Sequence, residues 1–261
     1  MPVIAELQGM VPQFMLILTR LTALLTTLPI FSYGSIPPRV RVMLAFVLAV
    51  IMLPLFGAGP LPEFTGLLDM LLAMTREMLI GLIIGFSARL IFEGFSMAGS
   101  FIAIQTGFQM ANVMDPSTDQ QEPIISHLWI LLMTTIFLVA DGHHLLIETL
   151  YANFRLIPLG TGQIPPAVGQ TLIEGGSQAF DIAIRFAAPA LVFFLLVDVA
   201  IGFIARVMPQ MNIFMVAFPL KSGLGIFFLI ISLNIFPILY DVVYSSLGEY
   251  TSAMMQLLGQ D

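Results

Sequence analysis

The fold of this chain is decided by the stretch IAIRFAAPALVFFLLVDVAIGFIARVMPQMNIFMVAFPLK, residues 182–221. Its first part, 182–206, is apolar for long enough to cross the roughly 30 Å hydrocarbon core of a bilayer, which takes about 20 helical residues. Polar groups and Pro209 then interrupt the sequence, and a second apolar run follows at 213–240. Because proline removes a helix hydrogen bond, this stretch predicts a broken helical hairpin with polar groups at the break.

Four further apolar runs precede this stretch, at about 11–33, 41–59, 70–92 and 126–149. The chain is 58% hydrophobic and 10% charged, whereas soluble domains are roughly 25% charged. Inside lipid every backbone polar group must find a partner within its own segment, so the runs are helices. We therefore predict an all-α membrane protein with about six hydrophobic segments, forming a single domain over 1–261.

Charged side chains interrupt several of these runs, at Arg20, Arg76, Glu77, Arg89, Glu93 and Asp198. A charge at the bilayer centre costs at least about 2.5–3.5 kcal/mol and usually faces protein or water. Snorkelling to the interface is one explanation, and pairing one helical turn apart, as at Asp181–Arg185 and Arg89–Glu93, is another. With so many segments affected, we favour cover by neighbouring subunits. The spacing Gly81-x-x-x-Gly85 also permits close helix packing.

A polar island, QTGFQMANVMDPSTDQQEPIIS at 105–126, separates the third and fourth apolar runs. It carries Asp115, Asp119 and Glu122 without one lysine or arginine. These residues alone allow two interpretations of the island. It is either a solvated loop outside the membrane or a polar segment inside an assembly.

Enzymatic chemistry has little support in the sequence. Neither a GxxxxGK[ST] phosphate loop nor a GxSxG nucleophile elbow occurs, and the absence of cysteine excludes thiolate chemistry and disulfides. The net charge of −7 argues against nucleic acid. One metal-like cluster, Asp141-Gly-His143-His144-x-x-x-Glu148, is interpreted as a hydrated helix end, with a metal-dependent membrane enzyme as a distant alternative. We predict no enzyme activity, no cofactor and no metal.

Several separated motifs resemble one protein family. RVMPQMNIFMVAFPLK at 206–221, GFQMANVMDP at 107–116, DGHHLLIETL at 141–150 and PPRVRVMLA at 37–45 are together similar to the FliR family of flagellar export-gate subunits. These subunits correspond to the SctT subunits of virulence type III secretion systems. The resemblance covers the whole chain, and the text at 107–116 and 141–150 favours the flagellar branch.

This resemblance implies a place in a hetero-oligomeric helical gate at the base of the flagellum, in the bacterial inner membrane. FliP and FliQ subunits would form the gate with this chain, FlhB would pack around it, and FlhA would supply a cytoplasmic ring. Bent, proline-broken helical hairpins would build this gate, which would pass unfolded flagellar proteins.

The resemblance also assigns roles to two groups of residues. A pore loop that helps to close the channel would contain Gly107, Phe108, Gln109, Met110, Ala111, Asn112, Met114, Asp115 and Pro116. A hairpin that packs against other subunits would contain Arg206, Pro209, Gln210, Asn212, Phe214, Pro219 and Lys221. The alternative from another functional class is a stand-alone secondary transporter with broken helices, in which Asp198 or Lys221 would be the coupling group.

Overall fold

A computed structural model describes residues 2–32, 36–57, 64, 66–107, 124–139, 141–210, 212–232 and 236–259. Within these ranges the chain forms helices and no strand. The helices are α1 (Pro2–Thr27), α2 (Pro29–Ser32), α3 (Pro38–Phe56), α4 (Leu67–Thr106), α5 (Ile124–Val139), α6 (Gly142–Leu156), α7 (Ala167–Val207), α8 (Ile213–Ser232) and α9 (Phe236–Leu258). The all-α prediction is confirmed.

Two of the helices are much longer than the apolar runs that predicted them. Helix α4 has 40 residues and α7 has 41, so each is about 60 Å long at 1.5 Å per residue. That is about twice the thickness of the hydrocarbon core. Within the described part of the chain, four helices are long and apolar enough to cross a membrane, or five if α5 and α6 form one broken span.

Proline does not end every helix in which it occurs. Pro189 lies inside α7 and Pro219 lies inside α8, and each helix continues through its proline. Pro237 lies in the first turn of α9, where its missing N–H group would have no helical partner in any case. Of these four prolines, Pro209 is the one that coincides with the expected break, between α7 and α8.

The chain divides into two compact units. The first, unit 1, contains Met1–Leu90, Asp141–Gly175 and Ser245–Asp261, and unit 2 contains Ile91–Ala140 and Gly176–Tyr244. Helices α4, α7 and α9 each contribute to both units. The single domain over 1–261 stays a prediction.

The centre of unit 1 holds a buried ion pair between Arg20 of α1 and Glu77 of α4, whose side chains are 0% and 1% exposed. The Arg20 guanidinium also donates to Asn153 Oδ1 at 3.0 Å and to the Ile157 carbonyl at 2.7 Å. The second carboxylate oxygen of Glu77 accepts the Gly160 N–H at 2.8 Å. Arg20 and Glu77 therefore face protein, but that protein is this chain itself, which corrects the expected cover by neighbouring subunits for these two charges.

Close packing of α4 against α1 depends on two glycines. A Cβ atom on Gly81 would lie 2.4 Å from the Arg20 carbonyl oxygen, and one on Gly85 would lie 1.9 Å from Thr27 Oγ1. Carbon atoms in proteins do not approach oxygen so closely, because optimal separations are about 3.5 Å or more. The predicted role of the Gly81-x-x-x-Gly85 spacing in helix contact is confirmed.

Aromatic side chains fill the interior of unit 2. Phe95 is fully buried and Trp129 nearly so, and both meet Phe186 of α7 edge-on, with ring centroids 4.8 and 6.3 Å apart. Edge-to-face aromatic pairs add about 0.5–1.5 kcal/mol beyond their area burial. These contacts hold α4, α5 and α7 together within this unit.

Replacing Arg20 with leucine should lower the free energy of unfolding by about 3–5 kcal/mol, because the Glu77 carboxylate would stay buried without a cation. Denaturant unfolding of the detergent-solubilised chain measures this loss. The control is Arg185→Leu, which breaks the exposed pair with Asp181 (2.7 Å) and should cost less than about 1 kcal/mol. Equal losses in the two variants would contradict a structural role for the buried pair.

Alanine should have opposite effects at two helical glycines. A Cβ atom on Gly176 in α7 would have no atom within 4 Å of it, so Gly176→Ala should stabilise the chain by up to about 1 kcal/mol through helix propensity alone. Gly81→Ala should destabilise it, since the added methyl group meets the Arg20 carbonyl. Thermal unfolding measures both changes, and stabilisation by both variants would refute the close α1–α4 contact.

Candidate functional site

The predicted hairpin is present in unit 2 as α7, a short turn and α8. Helix α7 ends at Val207, and α8 begins at Ile213, where the Met215 N–H donates to the Asn212 carbonyl at 3.1 Å. Pro209, Gln210 and Asn212 are exposed in the turn. The polar groups thus lie at the end of the hairpin, as the sequence predicted.

An ion pair joins the two arms of this hairpin. Asp198 of α7 pairs with Lys221 of α8, and their side chains are 40% and 20% exposed. Sequence reasoning named both charges but did not pair them; the structure places the Lys221 ammonium group against the Asp198 carboxylate. The two prominent charges of the hairpin therefore neutralise each other.

Most of the surface around this ion pair is apolar and exposed. Leu196 and Phe203 on α7 are 64% and 65% exposed, and Met215 on α8 is 75% exposed. Further exposed apolar side chains on the two arms are Val192, Leu195, Val199, Val216, Phe218, Leu220, Ile226, Phe227 and Ile230. A soluble monomer rarely exposes a continuous apolar surface of this extent, so lipid or protein must cover the hairpin.

The start of the predicted pore loop is fixed against α8. Gly107 follows the last residue of α4 with a φ of +80°, and a Cβ atom there would lie 3.3 Å from the Phe218 ring. The Ser222 hydroxyl donates to the Thr106 carbonyl at 3.4 Å. The other predicted loop residues, Phe108, Gln109, Met110, Ala111, Asn112, Met114, Asp115 and Pro116, lie outside the described residues.

The remaining hairpin and helix charges occupy varied environments. Arg206 is exposed in the last turn of α7, Arg89 and Glu93 are partly buried on α4, and Arg76 is exposed. The predicted one-turn pair Asp181–Arg185 is confirmed at 2.7 Å. Phe214 lies in the first turn of α8.

The histidine cluster lies at the start of α6 in unit 1. Asp141 has a φ of +59°, and its carboxylate lies 3.9 Å from His143 Nε2 and 4.0 Å from His144 Nδ1. Ligand atoms of these three residues lie within 4.8 Å of one another, and the side chains are exposed. The structure brings Asp141, rather than Glu148, to the histidines. The absence of a metal stays a prediction.

Sequence reasoning missed one feature, which involves the segment PLGTGQIPP at 158–166. In the structure, residues Gly160–Ile164 and the Arg76 side chain line a polar pocket of about 500 Å³. Gly160 has a φ of +76°, a conformation that glycine adopts readily. The sequence signal for this loop was the pair of glycines at Gly160 and Gly162.

Comparison with known proteins identifies relatives over almost the full length. The profile of bacterial export proteins, family 1, matches residues 11–247. The flagellar biosynthetic protein FliR of Bacillus subtilis (strain 168) is 32% identical over 95% of this chain and 96% of its own length. The FliR protein of Escherichia coli (strain K12) is 31% identical over 80% of this chain and 79% of its own.

A relative outside the flagellar proteins is similar as well. The surface presentation of antigens protein SpaR of Shigella sonnei is 28% identical over 88% of each chain. Together with the apolar helices, these relatives confirm the prediction of a multi-pass inner-membrane protein of the flagellar apparatus. The chain belongs to the bacterial export proteins, family 1, and the predicted membership of the FliR/SctT family is confirmed.

Proposed function

We propose that this protein is a core subunit of the flagellar type III protein export gate. With FliP and FliQ subunits it forms the channel for unfolded flagellar proteins, and its loop after Gly107 contributes to closing that channel. The observation that carries the proposal is the α7–α8 hairpin, whose arms expose apolar side chains around the Asp198–Lys221 ion pair.

The ion pair favours a protein neighbour over lipid for this hairpin. Lipid covers apolar side chains well but solvates a partly exposed ion pair poorly, and charges within membranes usually face a protein interior or a water-filled cavity. A neighbouring subunit can cover both, since it offers polar partners beside apolar surface. This supports assembly with other helical subunits, such as FliP and FliQ.

The loop proposal is supported by where the loop begins and by what it contains. Gly107 contacts Phe218 of α8, so the loop leaves α4 beside the hairpin. Its residues combine Phe108, Met110 and Met114 with polar neighbours. Methionine adapts its shape to irregular surfaces. This property suits a loop that must block ions when the channel is closed and move aside when an unfolded polypeptide passes.

The proposed mechanism of this subunit is passive. It forms part of the channel and its closure, FlhB packs around the core, FlhA provides the cytoplasmic ring, and other parts of the apparatus supply the energy. No catalytic step is assigned to any residue. The FliR proteins of Bacillus subtilis and Escherichia coli, at 32% and 31% identity, are more similar to this chain than SpaR at 28%.

Replacing residues 108–115 with eight glycine and serine residues should raise the ion leak of cells while the gate still assembles. The new segment keeps the length of the loop but removes the apolar and polar groups that close it. Membrane depolarisation measures the leak, and co-purification with FliP and FliQ measures assembly. Lost assembly with an unchanged leak would show that the loop is a packing element and refute closure.

Replacing Gln210 and Asn212 together with leucine should reduce co-purification with FliP and FliQ before conductance changes. Both side chains are exposed in the turn of the isolated chain, and a buried polar partner in the assembly would lose its hydrogen bond. Gln170→Leu with Gln178→Leu is the control, since both positions are exposed on α7 outside the turn.

Unchanged co-purification in the turn variant would contradict the packing role. The mass of the purified protein tests the transporter alternative separately. A stable monomer or dimer with substrate-dependent flux that is abolished by Asp198→Asn would favour the transporter, whereas a defined complex with FliP and FliQ would favour the gate.

A further inference from the structure

The polar pocket of unit 1 has no part in the proposed gate function. It is formed by Arg76 of α4 and by Gly160–Ile164, the connection between α6 and α7. It is an open surface hollow of about 500 Å³. The character of its lining indicates the kind of ligand that it would accept.

Arg76 supplies the positive charge of this pocket. Its side chain is exposed, and no carboxylate pairs with it within the described ranges of the chain. The neighbouring Glu77 does not neutralise it, because both carboxylate oxygens of Glu77 are engaged, one by Arg20 and one by the Gly160 N–H. A guanidinium group with free N–H donors binds carboxylate and phosphate oxygens in a two-pronged geometry.

The connecting loop adds backbone donors. The Gly160 N–H is used by Glu77, and the Thr161 N–H donates weakly to the Pro158 carbonyl at 3.4 Å. The next three N–H groups, of Gly162, Gln163 and Ile164, have no acceptor in the part of the chain that the structure describes. Backbone N–H groups that have no internal acceptor can donate hydrogen bonds to the oxygens of a bound anion.

The loop is held in this conformation by its own packing. A Cβ atom on Gly162 would lie 2.5 Å from Ile80 Cδ1 and 2.8 Å from Ile157 Cγ2, so the loop backbone lies directly on apolar side chains. The Gly160 hydrogen bond to Glu77 fixes its beginning, and Pro165 and Pro166 restrict the backbone at its end. A preformed loop binds with less loss of conformational entropy than a flexible one.

We propose that this pocket binds a phosphate-class anion, through the Arg76 guanidinium and the N–H groups of Gly162–Ile164. In a membrane protein such an anion has two sources, the phosphodiester headgroup of an anionic lipid and free phosphate. The chemistry of the pocket suits either source. The inference does not depend on the export-gate proposal, because all of its residues belong to unit 1, whereas the hairpin and Gly107 belong to unit 2.

The test uses the full chain purified in detergent and two probes. Native mass spectrometry measures binding of phosphatidylglycerol, with phosphatidylcholine as the neutral lipid, and calorimetry measures binding of inorganic phosphate. Arg76→Gln should weaken binding of at least one probe about tenfold or more, which is the effect of losing hydrogen bonds to a charged group. Arg76→Lys, which keeps the charge but not the two-pronged geometry, should bind with intermediate affinity.

The matched control is Arg155→Gln, since Arg155 is an exposed arginine of the same unit in the last turn of α6. It should bind both probes as the unmodified chain does. Selective loss of phosphatidylglycerol binding in Arg76→Gln would identify a lipid headgroup, and loss of phosphate binding would identify free phosphate. Equal affinities in all the proteins, or no binding of either probe to the unmodified chain, would overturn the proposal.

Discussion

The buried pair of Arg20 and Glu77 is the interaction on which unit 1 depends. A charge of either sign inside an apolar interior is costly unless it is paired and hydrogen-bonded. Here each group meets the other and further polar partners as well, including Asn153 and the Gly160 N–H. These partners come from α1, α4, α6 and the connection to α7, so satisfying two charges fixes the positions of four chain segments.

Much of the helical architecture could be predicted, because its signal is local. Apolar runs of sufficient length specify helices in lipid, and the cost of a lone charge there places Arg20 against protein. The ends of α4 and α7 could not be predicted in this way. Residues such as Gly99, Ser100, Gly175 and Gly176 lower the hydropathy of a run but do not end a helix. At Gly99 and Gly175 neighbouring side chains or backbone pack so closely that a Cβ atom would not fit.

Pairings between distant residues were the part of the candidate site that the sequence could not provide. The Asp198–Lys221 pair depends on how far α8 lies along α7, and this register is set by the length of the turn at Pro209 and by packing. The pocket at Arg76 likewise requires the loop at Gly160–Ile164 to return to α4. Neither pairing produces a periodic pattern in the sequence. Gly81 and Gly85 do produce one, because they lie four residues apart on one face of α4.

The Arg20–Glu77 and Asp198–Lys221 pairs have different physical consequences. Arg20 and Glu77 have partners for their charges within unit 1, so this unit needs no other subunit to satisfy them. Asp198 and Lys221 are only partly covered, and the hairpin that holds them exposes more apolar surface than a soluble protein can sustain. Folding of the chain alone therefore leaves the hairpin incomplete. Cover of the hairpin, by lipid or by protein, can therefore be added without disturbing the Arg20–Glu77 centre, whose charges are already satisfied within unit 1.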